Sequence, residues 1–259
     1  SHACCVQNTA QGAFEMIEND GFILFQVDNQ VCAWVKAAEP LAHRIASDPV
    51  ARTANLRHGK TWFVGVDALP NASDGAVGGV PLAGPWLPLV PELPLHRAQL
   101  SIIYQGYPRQ DLDESDANYR YRNTRSAAHV DGLLPEGPKR RRYAREFHAY
   151  VLGVPLTDAR QAPTVVWRGS HRIMQNALRA AIGSAHIGSV DVTDAYHAAR
   201  RRVFETCEKV LLTATLGQSY LIHRFAVHGT EPWQGPAASG RMVAFFRPEF
   251  ANPADWLGE

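Results

Sequence analysis

The stretch "YLIHRFAVHGTEPWQGPAASGRMVAFF", residues 220–246, decides the fold. Two runs rich in β-branched and aromatic residues flank a segment of Gly, Pro and Ala. That is the signature of strand, turn and strand. Upstream of it the same grammar recurs. "AQLSIIYQG" (98–106), "EFHAYVLGVPL" (146–156), "PTVVW" (163–167) and "KVLLTA" (209–214) are short strand-like runs bounded by Gly, Pro, Asp or charge. Many short strands with this punctuation indicate a sandwich or jelly-roll barrel rather than a parallel α/β sheet. No Gly-x-Gly-x-x-Gly and no phosphate-loop motif occurs.

The rest of the chain reads as additions to that core. "TAQGAFEMIEND" (9–20) has a helical pattern with Phe14, Ile17 and Ala13 on one face, and "GFILFQV" (21–27) follows as a strand. Residues 29–47 carry a second helical pattern that Pro40 should interrupt. Residues 67–96 are rich in Pro, Gly and Ala, a long irregular segment of the kind that covers a site. "DVTDAYHAARRRVFE" (191–205) is a helix with Val192, Tyr196, Ala199 and Val203 along one stripe. The reading is one domain over 1–259, with a jelly-roll core at about 98–250 and an N-terminal helical part at about 9–60.

Composition narrows the function. The chain has 259 residues, 46% hydrophobic and 20% charged, with a net charge of +1. Those are the proportions of an ordinary globular protein, with no global field to draw it to nucleic acid or an anionic membrane. No apolar run approaches the roughly 20 residues of a membrane span, and the first residues lack the regions of a signal peptide. Cys4, Cys5, Cys32 and Cys207 show no metal-site spacing and no paired framework, so reduced thiols and a cytoplasmic setting are expected. The basic run Lys139-Arg140-Arg141-Arg142 reads as a solvated loop, with a docking patch for an anion as the lesser reading.

The chemistry starts at "SAAHVDGLLPEG" (126–137), which holds the chain's one His-x-Asp or His-x-Glu. In an extended segment residues i and i+2 share a side, so His129 and Asp131 offer two ligands from one face while Val130 turns away. A non-haem Fe(II) site needs one more histidine, leaving open positions for substrate chemistry. His223 and His228 are the candidates. Five residues apart on one strand, they face opposite ways. His228, at the strand's end, is taken as the ligand and His223 as a core or supporting residue. Arg241 opens the next strand, and a guanidinium beside a metal pocket is a two-pronged anchor for a dicarboxylate. His171, in "WRGSH", is a turn residue, a helix-cap neighbour or part of the rim. His43, His58, His96, His148, His186 and His197 have no paired ligand in sequence and are read as structural.

In their order, these motifs resemble the phytanoyl-CoA dioxygenase family of Fe(II)- and 2-oxoglutarate-dependent oxygenases. "NDGFILF", "HVD", "VPLTDARQAPTVVWRGSH", "GQSYLIHRFAVHGT" and Arg241 follow one another as that family's motifs do, over roughly residues 12–250. Arg160-Gln161-Ala162-Pro163 replaces the usual Asn-Gly turn, Arg168 a common proline and Gln218 a common aspartate. None of these is a ligand position. The resemblance implies a double-stranded β-helix, cupin-like, with flanking N-terminal and inserted helices. It implies that His129, Asp131 and His228 hold Fe(II), that 2-oxoglutarate chelates the iron, and that Arg241 pairs with its distal carboxylate. O2 would take the last position, giving succinate, carbon dioxide and a hydroxylated small-molecule product. Asp131 sets the chain apart from the halogenating relatives, which lack that carboxylate.

Gln105 and Tyr104 lie where the family has a polar cosubstrate contact, and Thr164 opens a core strand that faces the same pocket. Specificity is expected in the loops 67–96, 107–126 and 132–145, with Tyr119, Tyr121, Arg122 and Arg125 as candidate lid residues. Two rivals stand beside this reading. One keeps the barrel and metal but acts as a cupin-like isomerase or hydrolase through a Lewis-acid ion. The other is a non-catalytic binding protein.

Overall fold

The computed structural model describes residues 10–236 and 239–258. Its centre is two facing antiparallel sheets. The larger has seven strands in the order β1 (Phe22–Leu24), β10 (Tyr220–His223), β7 (Tyr150–Pro155), β12 (Arg241–Phe246), β4 (Gln99–Ile103), β3 (Trp62–Gly65) and β2 (Leu56–Arg57). The smaller has β11 (His228–Thr230), β8 (Thr164–Trp167) and β9 (Lys209–Leu212). A hairpin of β5 (Leu133–Glu136) and β6 (Arg141–Ala144) lies apart. This is a jelly roll, and the helices pack on its outside.

Strand alternation assigns each residue to a layer. On β12, Val243 and Phe245 join Val151, Val166, Val210, Tyr220 and Ile222 between the two sheets. Met242, Ala244 and Phe246 face the other way, into the cluster made by helix α2 (Asn29–Ser47) and residues Leu69, Val77, Leu82 and Trp86 of the irregular segment. Val165 and Trp167 of β8 face outward under α5 (Ser170–Ile182) and α6 (Thr193–Thr206). Helices α1 (Ala10–Asp20), α3 (Pro49–Asn55), α4 (Asp116–Arg125) and α7 (Pro253–Leu257) complete the chain.

The structure corrects several expectations. Helix α2 runs unbroken through Pro40. Pro40 and Lys36 are both exposed, so the Lys36 carbonyl that loses its N–H partner faces water. Meanwhile Trp34, Val35, Ala38, Ala42 and Ala46 are buried on the opposite face. That burial outweighs the roughly 3 kcal/mol cost of an internal proline. Phe14 stands half exposed, leaving Ala13 and Ile17 as the buried face of α1.

Helices α4 and α5 are among the additional ones. Helix α5 buries Met174, Leu178 and Ile182 at four-residue spacing, while α4 buries no residue and begins at Ser115, whose side chain accepts from the Asn118 N–H. The basic run is not a free patch. Arg141 pairs with Asp191 and Asp194, and Arg142 donates to the Leu133 carbonyl and lies over the Tyr196 ring. Cys32 and Cys207 are free thiols, and Cys4 and Cys5 lie outside the described residues. No helix among the described residues is long and apolar enough to cross a membrane.

Trp34 fixes α2 to both neighbours. Its ring meets Phe246 edge-on at 5.7 Å, and its indole N–H donates to the Gly75 carbonyl at 2.9 Å. Replacing Trp34 with Ala should cost about 3–5 kcal/mol, the range for a fully buried Trp. Trp34→Phe should lose less, since it keeps most of the packing and gives up the bond to Gly75. Urea unfolding of the two variants checks the order.

Candidate metal centre

His129 and His228 are placed by their own backbones. Each donates its N–H to the other's carbonyl, at 2.9 and 3.0 Å, in an isolated antiparallel bridge. Directly paired residues put their side chains on one side of the ladder, and the two rings lie 4.7 Å apart. Val130 turns into the cluster under α5 and α6, so Asp131 returns to the side of His129. Gly229 makes the bridge possible: a Cβ there would sit 2.1 Å from the Ser126 carbonyl oxygen.

Both rings are locked in the same sense. His129 Nδ1 donates to the Ala127 carbonyl at 3.0 Å, and His228 Nδ1 to that of Ala226 at 2.9 Å. Each Nε2 is thereby left as a lone pair, and both aim at Asp131, at 3.1 and 3.5 Å. The ligand atoms of the three residues all lie within 4.8 Å of one another. His228 Nε2 is buried without a partner. Two imidazole nitrogens converging on a carboxylate are the donor set of a divalent transition-metal ion.

Arg247 completes the centre and was not singled out by the sequence. Its Nε donates to Asp131 Oδ2 at 2.7 Å and its Nη1 to Gln99 at 2.8 Å. Burial alone would raise the Asp131 carboxyl. Arg247 is the largest influence that holds it well below the usual carboxylate range. The carboxylate form is favoured, with Oδ2 held by Arg247 and Oδ1 turned toward His129.

These groups open onto a cavity of about 500 Å³ between the sheets, bounded also by Trp62, Ser101, Tyr107, Thr164 and Phe245. Deeper in, Arg241 is buried and all three of its guanidinium nitrogens lack a partner among the described residues. It shares a small inner space with Thr164 and Tyr220, whose hydroxyls bond each other at 2.9 Å. Burial lowers the Arg241 pKa, and Tyr220 and Tyr107 offset part of that loss. A buried, unpaired cation is costly. Three empty donors in a fork are the complement of a carboxylate.

No protein-family model and no curated protein sequence matches the chain. Among solved structures, the chain is similar to the non-heme alpha ketoglutarate-dependent carbocyclase SnoK from nogalamycin biosynthesis. Identity there is 16% over 95% of this chain and 86% of SnoK, with a TM-score of 0.51. It is also similar to EctD from S. alaskensis with bound Fe, at 15% identity over 95% of this chain and 80% of EctD, with a TM-score of 0.50. The chain has their fold.

The structure sorts the remaining sequence candidates. Thr164 lines the cavity, but Gln105 lies in an exposed turn past the end of β4 and does not. The polar residues that β4 does present are Gln99 and Ser101, two apart on its inner face. His223 faces the opposite side of the large sheet, its ring 4.8 Å from that of His171. His171 Nε2 in turn donates to the Glu18 carbonyl. Burial, with His171 and Arg224 nearby, pushes His223 down to about 2.

Of the candidate lid residues, Tyr121 donates to the Ala128 carbonyl, Arg122 binds Glu114 and Arg125 lies over Phe204. They brace α4. His148 and His96 do have acidic neighbours, Glu146 at 3.1 Å and Asp67 at 3.2 Å. His58 lies beside Asp111 and Glu114. The i–2 and long-range placement of these carboxylates hid the pairs from a search two residues forward.

Gly229→Ala should force β11 away from the Ser126 carbonyl and separate His228 from His129. Divalent-metal affinity should fall about tenfold or more, the scale for losing a ligand's support. Far-ultraviolet circular dichroism should remain native-like. Co(II) titration followed by absorption reads the first, and unchanged affinity would show that the bridge does not set the ligands.

Proposed function

We propose that the protein is an Fe(II)- and 2-oxoglutarate-dependent oxygenase of the phytanoyl-CoA dioxygenase kind, hydroxylating a small molecule with release of succinate and CO2. The observation that carries this reading is the pairing of two complementary deficits across one cavity wall. His129, Asp131 and His228 supply three converging anionic or lone-pair donors. Arg241, buried with no acceptor among the described residues, supplies a cation on the far side of Thr164. A Lewis-acid isomerase or hydrolase would instead use Arg241 to bind its substrate directly, and turnover of 2-oxoglutarate to succinate separates the two. A dicarboxylate with a keto group beside one carboxylate satisfies both deficits.

In this reading His129, Asp131 and His228 hold Fe(II), and the iron with 2-oxoglutarate and O2 supplies the oxidising power for a C–H bond. The chain's part is positional. The Nδ1 bonds to Ala127 and Ala226 fix each imidazole with Nε2 toward the ion. Arg247 keeps Oδ2, so Asp131 serves as a one-oxygen ligand. Arg241 takes the distal carboxylate in two bonds, with the hydroxyls of Thr164 and Tyr220 beside it. Trp62, Tyr107 and Phe245 wall the outer cavity with aromatic surface that excludes water from the substrate's reacting carbon.

Two experiments test this. With Fe(II) and ascorbate, the protein should convert 2-oxoglutarate to succinate. His129→Ala and His228→Ala should lose that turnover together with bound iron, and His223→Ala should keep iron. Retention of iron by His228→Ala with its loss in His223→Ala would reverse the assignment. Arg241→Ala should leave iron bound and weaken 2-oxoglutarate by about 2–5 kcal/mol, the range for truncating one partner of a buried charge pair. Arg241→Lys should recover part of this, since an ammonium keeps the charge without the fork. Calorimetric titration of 2-oxoglutarate into the metal-loaded variants measures both.

A further inference from the structure

We propose that His58, Asp111 and Glu114 form a second divalent-cation site, built for Zn(II), in the outer wall of the cavity. The three come from two distant segments. His58 is in the turn between β2 and β3, and Asp111 and Glu114 are in the loop between β4 and α4. His58 Nδ1 faces Asp111 Oδ2 at 3.4 Å and Glu114 Oε2 at 3.7 Å. Neither distance is that of a good hydrogen bond. His58 Nδ1 and Glu114 Oε2 are both buried without a partner, and the Glu114 side chain is only 7% exposed.

The remaining atoms of the cluster are already held. Arg122 donates to Glu114 Oε1 from two nitrogens, which leaves Oε2 turned to His58. Asp111 accepts the backbone N–H groups of His58 and Gly59 at 2.8 and 2.7 Å, one on each oxygen. That fixes the carboxylate plane while each oxygen keeps a lone pair. The ring is fixed by stacking on Trp62, 5.6 Å between centroids at 22°.

Burial, followed by the charge of Arg122, lowers the His58 pKa, and Glu114 and Asp111 oppose that shift. A cation between the three residues would give His58 Nδ1 and Glu114 Oε2 the partner that each lacks. The first centre has the same construction: His228 Nε2 is unpartnered and 3.5 Å from Asp131 Oδ2.

Distances and donors select the ion. Zn–N and Zn–O bonds of about 2.0–2.2 Å in a tetrahedron put neighbouring ligand atoms about 3.3–3.5 Å apart. The 3.4 Å edge fits, and the 3.7 Å edge closes by a few tenths of an ångström. One imidazole and two carboxylates suit zinc, with water as the fourth ligand. Bound there, the ion pins the β2–β3 turn to the loop ahead of α4, directly behind Trp62 and Tyr107, which both line the cavity. Its role is to stiffen that wall.

The test titrates the full chain with Zn(II) alone against a chromophoric chelator. The wild type should bind two equivalents and the His129→Ala/His228→Ala double variant one. Adding Asp111→Asn and Glu114→Gln to the double variant should weaken that remaining ion about tenfold or more. If the wild type binds one equivalent and the double variant none, the second site is overturned while the first centre stands. If the quadruple variant binds zinc as tightly as the double variant, the ion sits elsewhere and the assignment is wrong. Anomalous scattering from zinc-soaked wild-type crystals needs no variant. A peak between His58, Asp111 and Glu114 supports the site, and its absence beside a filled first centre overturns it.

Discussion

Two backbone hydrogen bonds between His129 and His228 join the segment after α4 to the edge of the smaller sheet, and the candidate chemistry depends on them. They put the two imidazoles side by side, while alternation along the chain brings Asp131 round to the same face. Two further carbonyl bonds fix each ring with Nε2 forward. None of this requires a side chain to choose among rotamers late in folding. The ligand geometry is a consequence of strand pairing, and Gly229 is the residue that lets the strands approach.

The second constraint is electrostatic. The space between the sheets is apolar at Val166, Val210, Ile222 and Val243. Into it the chain places two arginines from one strand face, Arg241 and Arg247. Arg247 is satisfied by Asp131 and Gln99, and Arg241 by no protein group among the described residues. A fold tolerates a buried unpaired guanidinium only where a ligand repays its desolvation. The asymmetry between the two arginines is what the proposed function rests on: a paired one beside Asp131 and an unpaired one deeper in.

Much of this was legible in the sequence, because strands announce themselves by period two. That periodicity joins His129 to Asp131 and separates His223 from His228. It would also have found Arg247, six residues beyond Arg241 on the same face, had the strand been followed to its end. Gln105 came from the resemblance and not from periodicity; β4 stops at Ile103 and the chain turns before that residue. Helix α4 was invisible because it buries nothing, and α2 was broken on paper at Pro40 because sequence does not tell which face meets water. The His58 cluster spans 53 positions from His58 to Asp111, a contact created by the pairing of β3 with β4.

The central claim is that one cavity binds Fe(II) and 2-oxoglutarate together, with the metal end at His129, Asp131 and His228 and the carboxylate end at Arg241. The most direct measurement is the visible absorption of the Fe(II)-loaded protein under anaerobic conditions as 2-oxoglutarate is added. The account predicts a metal-to-ligand charge-transfer band that grows to saturation at one equivalent and is absent with succinate, which has no keto oxygen to chelate the iron. Iron bound stoichiometrically with no such band at saturating 2-oxoglutarate would contradict it.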